Sequence, residues 1–364
     1  MEREKDGTAL LSIRGRMISC TILGLSAFLP QSVATADIDA GHKTFETTCA
    51  VCHGKGGSPD PNSPVVQGLG VLPADLSDPL FNSREPAMDW EMVVKYGGDA
   101  LGLAAQMPAH KDVLSDNQVY DVTAYIKSLV DTSEYPPGEM NLMLAIRTKK
   151  AFPEDEVVYQ GRFTSQNGDD AYKNVLEFEK RVGKRGQAIL ELVHEAEGSF
   201  SELAEIEIGY KQALSFSQRH ILSAAAVVAI PVEADGDGEL QMYLAYGREI
   251  SPSWTFQGSS RFKFPFNDFS DGEVELAGIF HYVHSPWPRR VFPAIELTAT
   301  TPFDSNNGDF EWTVMPQIRI GLTRGGHVAL NLGVEFPLSS QVWDNRVYAT
   351  LLWDFADGGF FQGW

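Results

Sequence analysis

The sequence predicts an α + β multidomain chain: a small all-α domain followed by an antiparallel, membrane-spanning β-barrel of about 12 strands. Three observations carry this. Between residues 40 and 130, short segments of helical periodicity surround a Cys-Ala-Val-Cys-His sequence. From about residue 157 onward, apolar and polar side chains alternate with a period of two in runs of 8–15 residues. The connections between those runs alternate short and long.

Composition narrows the function classes. The 364 residues are 43% hydrophobic and 21% charged, which excludes wholesale disorder. No stretch reaches the roughly 18 consecutive apolar residues of a membrane helix, so a polytopic helical membrane protein is excluded. The net charge of −20 argues against a nucleic-acid partner. Both parts of the mature chain are acidic, which favours basic partners.

The first element is a leader. Arg3, Lys5, Arg14 and Arg16 precede an apolar run from Met17 to Leu29, followed by Pro30 and Ala34-Thr35-Ala36. This reads as a secretory signal over residues 1–36, cut after Ala36. The run is too short to span a bilayer comfortably. Cys20 opens the run, whereas a lipidated cysteine follows one. Export removes Cys20 and leaves Cys49 and Cys52 as the cysteines of the mature chain.

Those two lie in Cys49-Ala50-Val51-Cys52-His53, the spacing of covalent c-type haem attachment. Two thiols three positions apart near the end of a short helix reach the two vinyl groups of one haem, and the adjacent imidazole lies against the iron. A redox dithiol has no need of His53 beside it. A structural zinc site wants a second Cys/His pair, which the sequence lacks.

The flanking segments agree. Residues 40–48 read as a short helix with Phe45 on its apolar face. Ser115 and Gln118 form a capping-box pattern ahead of Val119, Val122, Ile126 and Val130 at helical spacing. Between them, Met107-Pro108 in a loop is the arrangement of a sixth iron ligand. Thioether sulfur favours ferrous iron and raises the potential. His110 is the rival ligand in the same loop. Met88 and Met92 fall in an amphipathic helix, as core packing, and His42 reads as a solvated side chain.

Residues 38–130 therefore resemble a class I monohaem cytochrome c domain, on the motifs FETTCAVCHG, PADLSDP, QMPAH and LSDNQVYDVTAYIKSLV. The resemblance implies one covalent haem c, with thioethers at Cys49 and Cys52, His53 as proximal ligand and Met107 as distal ligand. The predicted domain spans 37–131, and a charged Pro/Gly-containing linker occupies 132–139.

The remainder, 140–364, is strand and turn. Runs near 157–164, 172–182, 187–197, 204–215, 220–232, 239–250, 254–266, 272–284, 290–302, 310–322, 327–338 and 345–355 give twelve strands. They match the 9–11 residues of a tilted membrane strand better than the 5–6 of an average soluble one. Short connections at 183–186, 217–220 and 324–326 alternate with long ones at 233–238, 304–309 and 339–345, as in outer-membrane barrels. Aromatics gather near strand ends at Trp254, Trp287, Trp312, Trp343 and Trp353, and the sequence given ends in Trp364. Residues 141–151 also alternate, as an extra strand or a segment at the mouth. Glu205, Glu207, Glu273, Glu275, Glu296, Glu335 and Asp354 fall on the polar face, as solvated lumen lining. The region resembles outer-membrane barrels of the phenol-degradation transporter type. The whole is similar to cytochrome–porin fusions of extracellular electron transfer, although the iron-oxidising fusions have a much shorter haem domain and a larger barrel.

These readings imply an electron carrier in the outer membrane, its haem domain facing the periplasm, rather than an enzyme. If it is an enzyme, it is an iron-oxidising oxidoreductase. The implied partners are periplasmic cytochromes, outer-membrane lipid and an extracellular electron donor or acceptor. The alternative is a passive channel whose haem domain only docks periplasmic redox partners.

Overall fold

The computed structural model describes residues 35–166, 170–197, 200–233, 236–283, 291–303, 310–339, 341 and 343–362. Residues 1–34 of the predicted leader, Trp287 and Trp364 lie outside them.

Among the described residues, six α-helices come first: α1 (Ile38–Thr44), α2 (Ala50–His53), α3 (Pro64–Leu69), α4 (Pro79–Arg84), α5 (Ala87–Ala100) and α6 (Asp116–Lys127). A π-helical turn, Phe45–Cys49, joins α1 to α2. α1 and α6 cross closely: a Cβ added at Gly41 would lie 2.1 Å from the carbonyl oxygen of Asp121. Around that crossing Phe45, Val119, Val122 and Ile126 are buried with Leu76, Val94 and Leu114. The predicted capping box forms, since Gln118 N donates to Ser115 Oγ and Ser115 N donates to Gln118 Oε1. α5 is helical as expected, yet Met88 is exposed and Val94 supplies the buried face. His42 stacks at 4.8 Å on Tyr125 and stands 3.6 Å from Glu46.

Twelve strands follow: β1 (Glu156–Gln166), β2 (Ala171–Val182), β3 (Gly186–Glu197), β4 (Phe200–Ser217), β5 (His220–Pro231), β6 (Glu239–Ser251), β7 (Trp254–Pro265), β8 (Glu273–Tyr282), β9 (Val291–Pro302), β10 (Glu311–Gly321), β11 (Val328–Pro337) and β12 (Trp343–Asp354). Each pairs antiparallel with its sequence neighbour, and β1 pairs with β12 to close the barrel. Closure leaves no unpaired edge. The period-two pattern sorts side chains as read: Leu332, Phe336 and Val347 face outward, while Asn331, Glu335 and Thr350 are buried inside. An apolar outer face and a polar interior suit a barrel standing in lipid. No helix among the described residues is long and apolar enough to cross a membrane.

An even strand count puts both barrel termini at one end, here called the near end. The predicted alternation of loop lengths is only partial, and at the near end residues 322–327 between β10 and β11 exceed the far-end connection 167–170 between β1 and β2. At the far end β3 and β4 are separated only by Gly198 and Ser199, and at the near end residues 283–290 separate β8 from β9. Trp343 also departs from the expected aromatic rim, being 5% exposed. A register shift between Ser165 and Gln166 against β12 flips the face there, turning Trp343 inward beneath Arg346, whose guanidinium lies 4.1 Å from the ring centre.

Residues 141–155 are neither a strand nor a cap on the mouth. They run inside the lumen without regular secondary structure, and Leu142, Met143, Ala145, Ile146, Thr148, Phe152 and Glu154 are all buried. The wall holds them through side chains: Gln257 Nε2 donates to Met143 O, Asn331 Nδ2 to Leu144 O and Lys211 Nζ to Lys150 O. Of the acidic lining expected to be solvated, Glu275, Glu296 and Glu335 are engaged with this segment instead, while Glu205, Glu207 and Glu273 line the cavity above it. Arg147 pairs with Glu275 and, at 3.0 Å, with Glu335, while Glu296 accepts from the backbone N–H groups of Arg147 and Thr148. A buried arginine demands such partners, and the strand carboxylates supply them. Glu207 is likewise buried, Glu205 and Glu273 are half-buried, and Asp354, buried at the near end, accepts from Ala356 N.

The helical domain rests on the near end. Glu134 pairs with Lys184 and accepts Arg185 Nε through its carbonyl at 2.8 Å, and Arg84 lies 4.0 Å from Asp357. The predicted linker is packed rather than loose: Gly138–Met140 forms a 3-10 turn and Ala87 N donates to Glu139 Oε1.

Candidate functional site

The site is built on the first three helical turns. The turn ending at Cys49 runs directly into α2, so Cys49 and Cys52 lie three positions apart on one helical face, with His53 next along. Both thiols are free, Cys49 buried and Cys52 half-buried. Burial, reinforced by the neighbouring Cys52, pushes the Cys49 thiol up to about 11, so it stays protonated at neutral pH. His53 is half-buried, and desolvation lowers its pKa against the opposing pull of a backbone hydrogen bond, which keeps the ring neutral.

That bond fixes the imidazole. His53 Nδ1 lies 3.0 Å from the carbonyl oxygen of Ala74. A carbonyl only accepts, so Nδ1 carries the proton and Nε2 keeps its lone pair for a metal. Ala74 is held in turn: Leu76 N donates to Gly57 O at 2.8 Å, and the Asp75 carboxylate accepts from Ser77 and Ser58. Hydrogen bonds from Ser77, foremost, lower the Asp75 pKa. The buried Asn82 amide spans the carbonyls of Leu76 and Ile126 at 2.9 and 3.0 Å, tying this segment to α6. Sequence reading quoted the Pro-Ala-Asp-Leu motif without seeing these roles. A main-chain acceptor carries no residue signature, whereas a buried Asn between two apolar helices is a signal that could have been followed.

Met107 and His110 share the loop between α5 and α6, both half-buried. The loop is pinned on the end of α5: Gly98 N donates to Met107 O at 2.9 Å and His110 N to Val94 O at 3.0 Å. Gly97 is required at this junction. Its φ is +78°, and a Cβ there would meet Ala109 N at 2.8 Å and Met107 O at 2.9 Å. Burial lowers the pKa of His110.

Two unpaired thiols at the attachment spacing and one imidazole presenting a single free nitrogen fit a covalent haem. Cys49 and Cys52 could hold the porphyrin covalently, and His53 together with Met107 or His110 could ligate its iron.

Comparison with known proteins agrees for the helical domain. Residues 36–126 match the family described as cytochrome c oxidase, cbb3-type, subunit III. Cytochrome c6 from Thermosynechococcus vestitus is 31% identical over 116 residues, which is 31% of this chain and 91% of that protein. Cytochrome c6 from Thermostichus vulcanus is 29% identical over the same length, again 31% of this chain and 91% of the relative. Among solved structures, the NanC porin aligns with a TM-score of 0.43 at 10% identity, covering 54% of this chain and 98% of its own. An outer membrane channel from Pseudomonas putida F1 aligns with a TM-score of 0.43 at 12% identity, covering 58% and 99%. The strand pairing itself establishes the barrel. The domain implies a covalently bound haem c and electron transfer. Through its N-terminal domain the chain belongs to the cytochrome c family, carried here on a closed twelve-stranded barrel.

Proposed function

We propose that this protein is an outer-membrane electron carrier whose helical domain would hold one haem c at the periplasmic mouth of the barrel. The observation that carries the reading is the His53–Ala74 hydrogen bond at 3.0 Å, which presents an iron-ready Nε2 beside two free thiols on a domain fused to a membrane-type barrel. Cys49 and Cys52 form the thioethers, His53 is the proximal ligand and Met107 the distal one. When bound, the haem supplies one-electron chemistry at a potential raised by thioether ligation.

Residues 1–36 are read as a cleaved signal, 37–131 as the cytochrome domain, 132–139 as the linker and 140–364 as the barrel. The near end, which bears the shorter turns and both barrel termini, is assigned to the periplasm. Periplasmic cytochromes are the partners there, and an extracellular donor or acceptor stands beyond the far end. An open passive channel is disfavoured by residues 141–155 in the lumen.

The haem domain is too wide to enter the barrel: about 95 residues give a width of roughly 30 Å. A haem at the mouth faces an apolar belt about 25 Å tall, so conduction through the membrane needs a second carrier. Purified protein in liposomes, oriented with the cytochrome inside and enclosing a reduced dye, tests this. An insoluble external oxidant should leave the dye reduced when no other protein is present. Drainage of the dye would refute the placement or the need for a second carrier.

A further inference from the structure

The lumen segment is the feature of this molecule that electron transfer leaves unused. We propose that residues 141–155 form a displaceable plug, that Arg147 is its latch, and that the barrel beneath is a gated pore selective for cations. The proposal rests on the reading of the barrel as membrane-spanning.

Position comes first. The plug touches the wall on several sides: Glu191 on β3, Ser223 on β5, Ser259 on β7, Glu275 on β8, Glu296 on β9 and Glu335 on β11. A chain threaded against so many strands leaves no clear passage. Above it, a cavity of about 490 Å³ floored by residues 144–150 reaches strand-end residues of the far mouth such as Glu239 and Glu311. The lumen is thus a vestibule closed at its base.

Displaceability follows from the kind of contact. The plug adds no strand to the sheet. Its backbone is held mostly by wall side chains, as where Lys149 N donates to Ser259 Oγ at 3.1 Å and Glu154 N to Gln187 Oε1 at 2.6 Å. Such bonds exchange for water one at a time, unlike a ladder of backbone bonds. The tip depends on Arg147, whose guanidinium joins Glu275 to Glu335 while its N–H joins Thr148 on Glu296. Removing one partner of a buried ion pair leaves an uncompensated charge, so the Arg147 contact decides whether the tip stays down. The plug continues directly into the linker and the docked cytochrome domain, so a pull on that domain reaches the plug.

Selectivity follows from what the plug leaves behind. With Arg147, Lys149 and Lys150 withdrawn, nine strand glutamates still line the cavity against six basic wall residues, among them Arg261 beside Glu275 and Arg346 beside Glu335. The wall then carries an excess of negative charge and attracts cations.

The test uses the full haem-loaded chain in planar lipid bilayers under a potassium chloride gradient. Arg147→Ala should raise the open probability about tenfold or more over wild type, with a reversal potential displaced toward that of potassium. Ala145 and Ala294 pack in one buried cluster. In the Arg147→Ala background, the further pair Ala145→Cys and Ala294→Cys, once oxidised, should therefore hold the pore shut until a reductant restores the openings of Arg147→Ala. Three results would overturn the proposal: a folded, haem-loaded Arg147→Ala as silent as wild type, an oxidised crosslink that conducts as Arg147→Ala does, or an anion-selective open state. The membrane reading is tested apart from these, because a chain that leaves washed membranes without detergent fails before any conductance is measured.

Discussion

The carbonyl oxygen of Ala74 lies 3.0 Å from His53 Nδ1, across a turn that is itself tied down by Gly57, Ser58 and Ser77. This contact fixes both the tautomer and the ring plane of His53, the proposed iron ligand, before any metal arrives. Rings oriented in this way lose little freedom on ligation, and the opposite nitrogen gains basicity.

The two free thiols are the proposed attachment points. Replacing Cys49 and Cys52 together by Ala should remove all haem that survives a denaturing gel. Haem staining retained by the double variant would contradict the assignment.

Gly97 governs the loop that carries Met107. Gly97→Ala places a methyl group against Met107 O and Ala109 N in a backbone region that L residues rarely adopt. Covalent haem should persist while the near-infrared sulfur–iron band is lost or much reduced. An unchanged band would show that the loop tolerates the shift.

Lys127 makes the stability of the haem domain depend on pH. Its Nζ donates to the carbonyls of Asn82 and Glu85 and lies 4.3 Å from the centre of the Trp90 ring. Burial lowers its pKa from 10.5 to about 8, against the pull of Glu139, Glu85 and Asp89. The unfolded chain therefore binds more protons between those values, and stability rises with pH across that window. Lys127→Met has no proton to lose, so its stability should lack this contribution. Denaturant unfolding followed by haem absorbance, compared between the two proteins at pH 8 and pH 10, should show a difference of about 2 kcal/mol after allowance for partial solvation.

Ser115 caps the helix that crosses α1. Ser115→Ala should cost about 1 kcal/mol in the same unfolding assay, with the haem spectrum of the folded state unchanged. Gln118→Ala should reproduce part of that loss, because it removes the reciprocal bond.

The sequence showed much of this architecture because lipid outside and polar lumen inside impose a period of two on each strand. Leu332 and Phe336 could be told from Asn331 and Glu335 by parity alone. Parity fails at a bulge, which is why Trp343 was expected at the rim and lies inside. The plug was illegible for a different reason. Asn-Leu-Met-Leu-Ala-Ile-Arg alternates as a strand does, and the partners that settle its fate are distant: Arg147 meets Glu335 across 188 positions. The haem motif was readable because its spacing is local. Ala74 was not, because any residue offers the same carbonyl.

The central claim is one haem per chain, ligated by His53 and Met107, in the outer membrane. Potentiometric titration of the haem in outer-membrane fractions tests it most directly, in wild type, Met107→Ala and His110→Ala. The account predicts a single one-electron transition in wild type, unchanged in His110→Ala and shifted to lower potential in Met107→Ala with loss of the sulfur–iron band. Two transitions in wild type, a band abolished by His110→Ala and retained in Met107→Ala, or no haem in that fraction would contradict it.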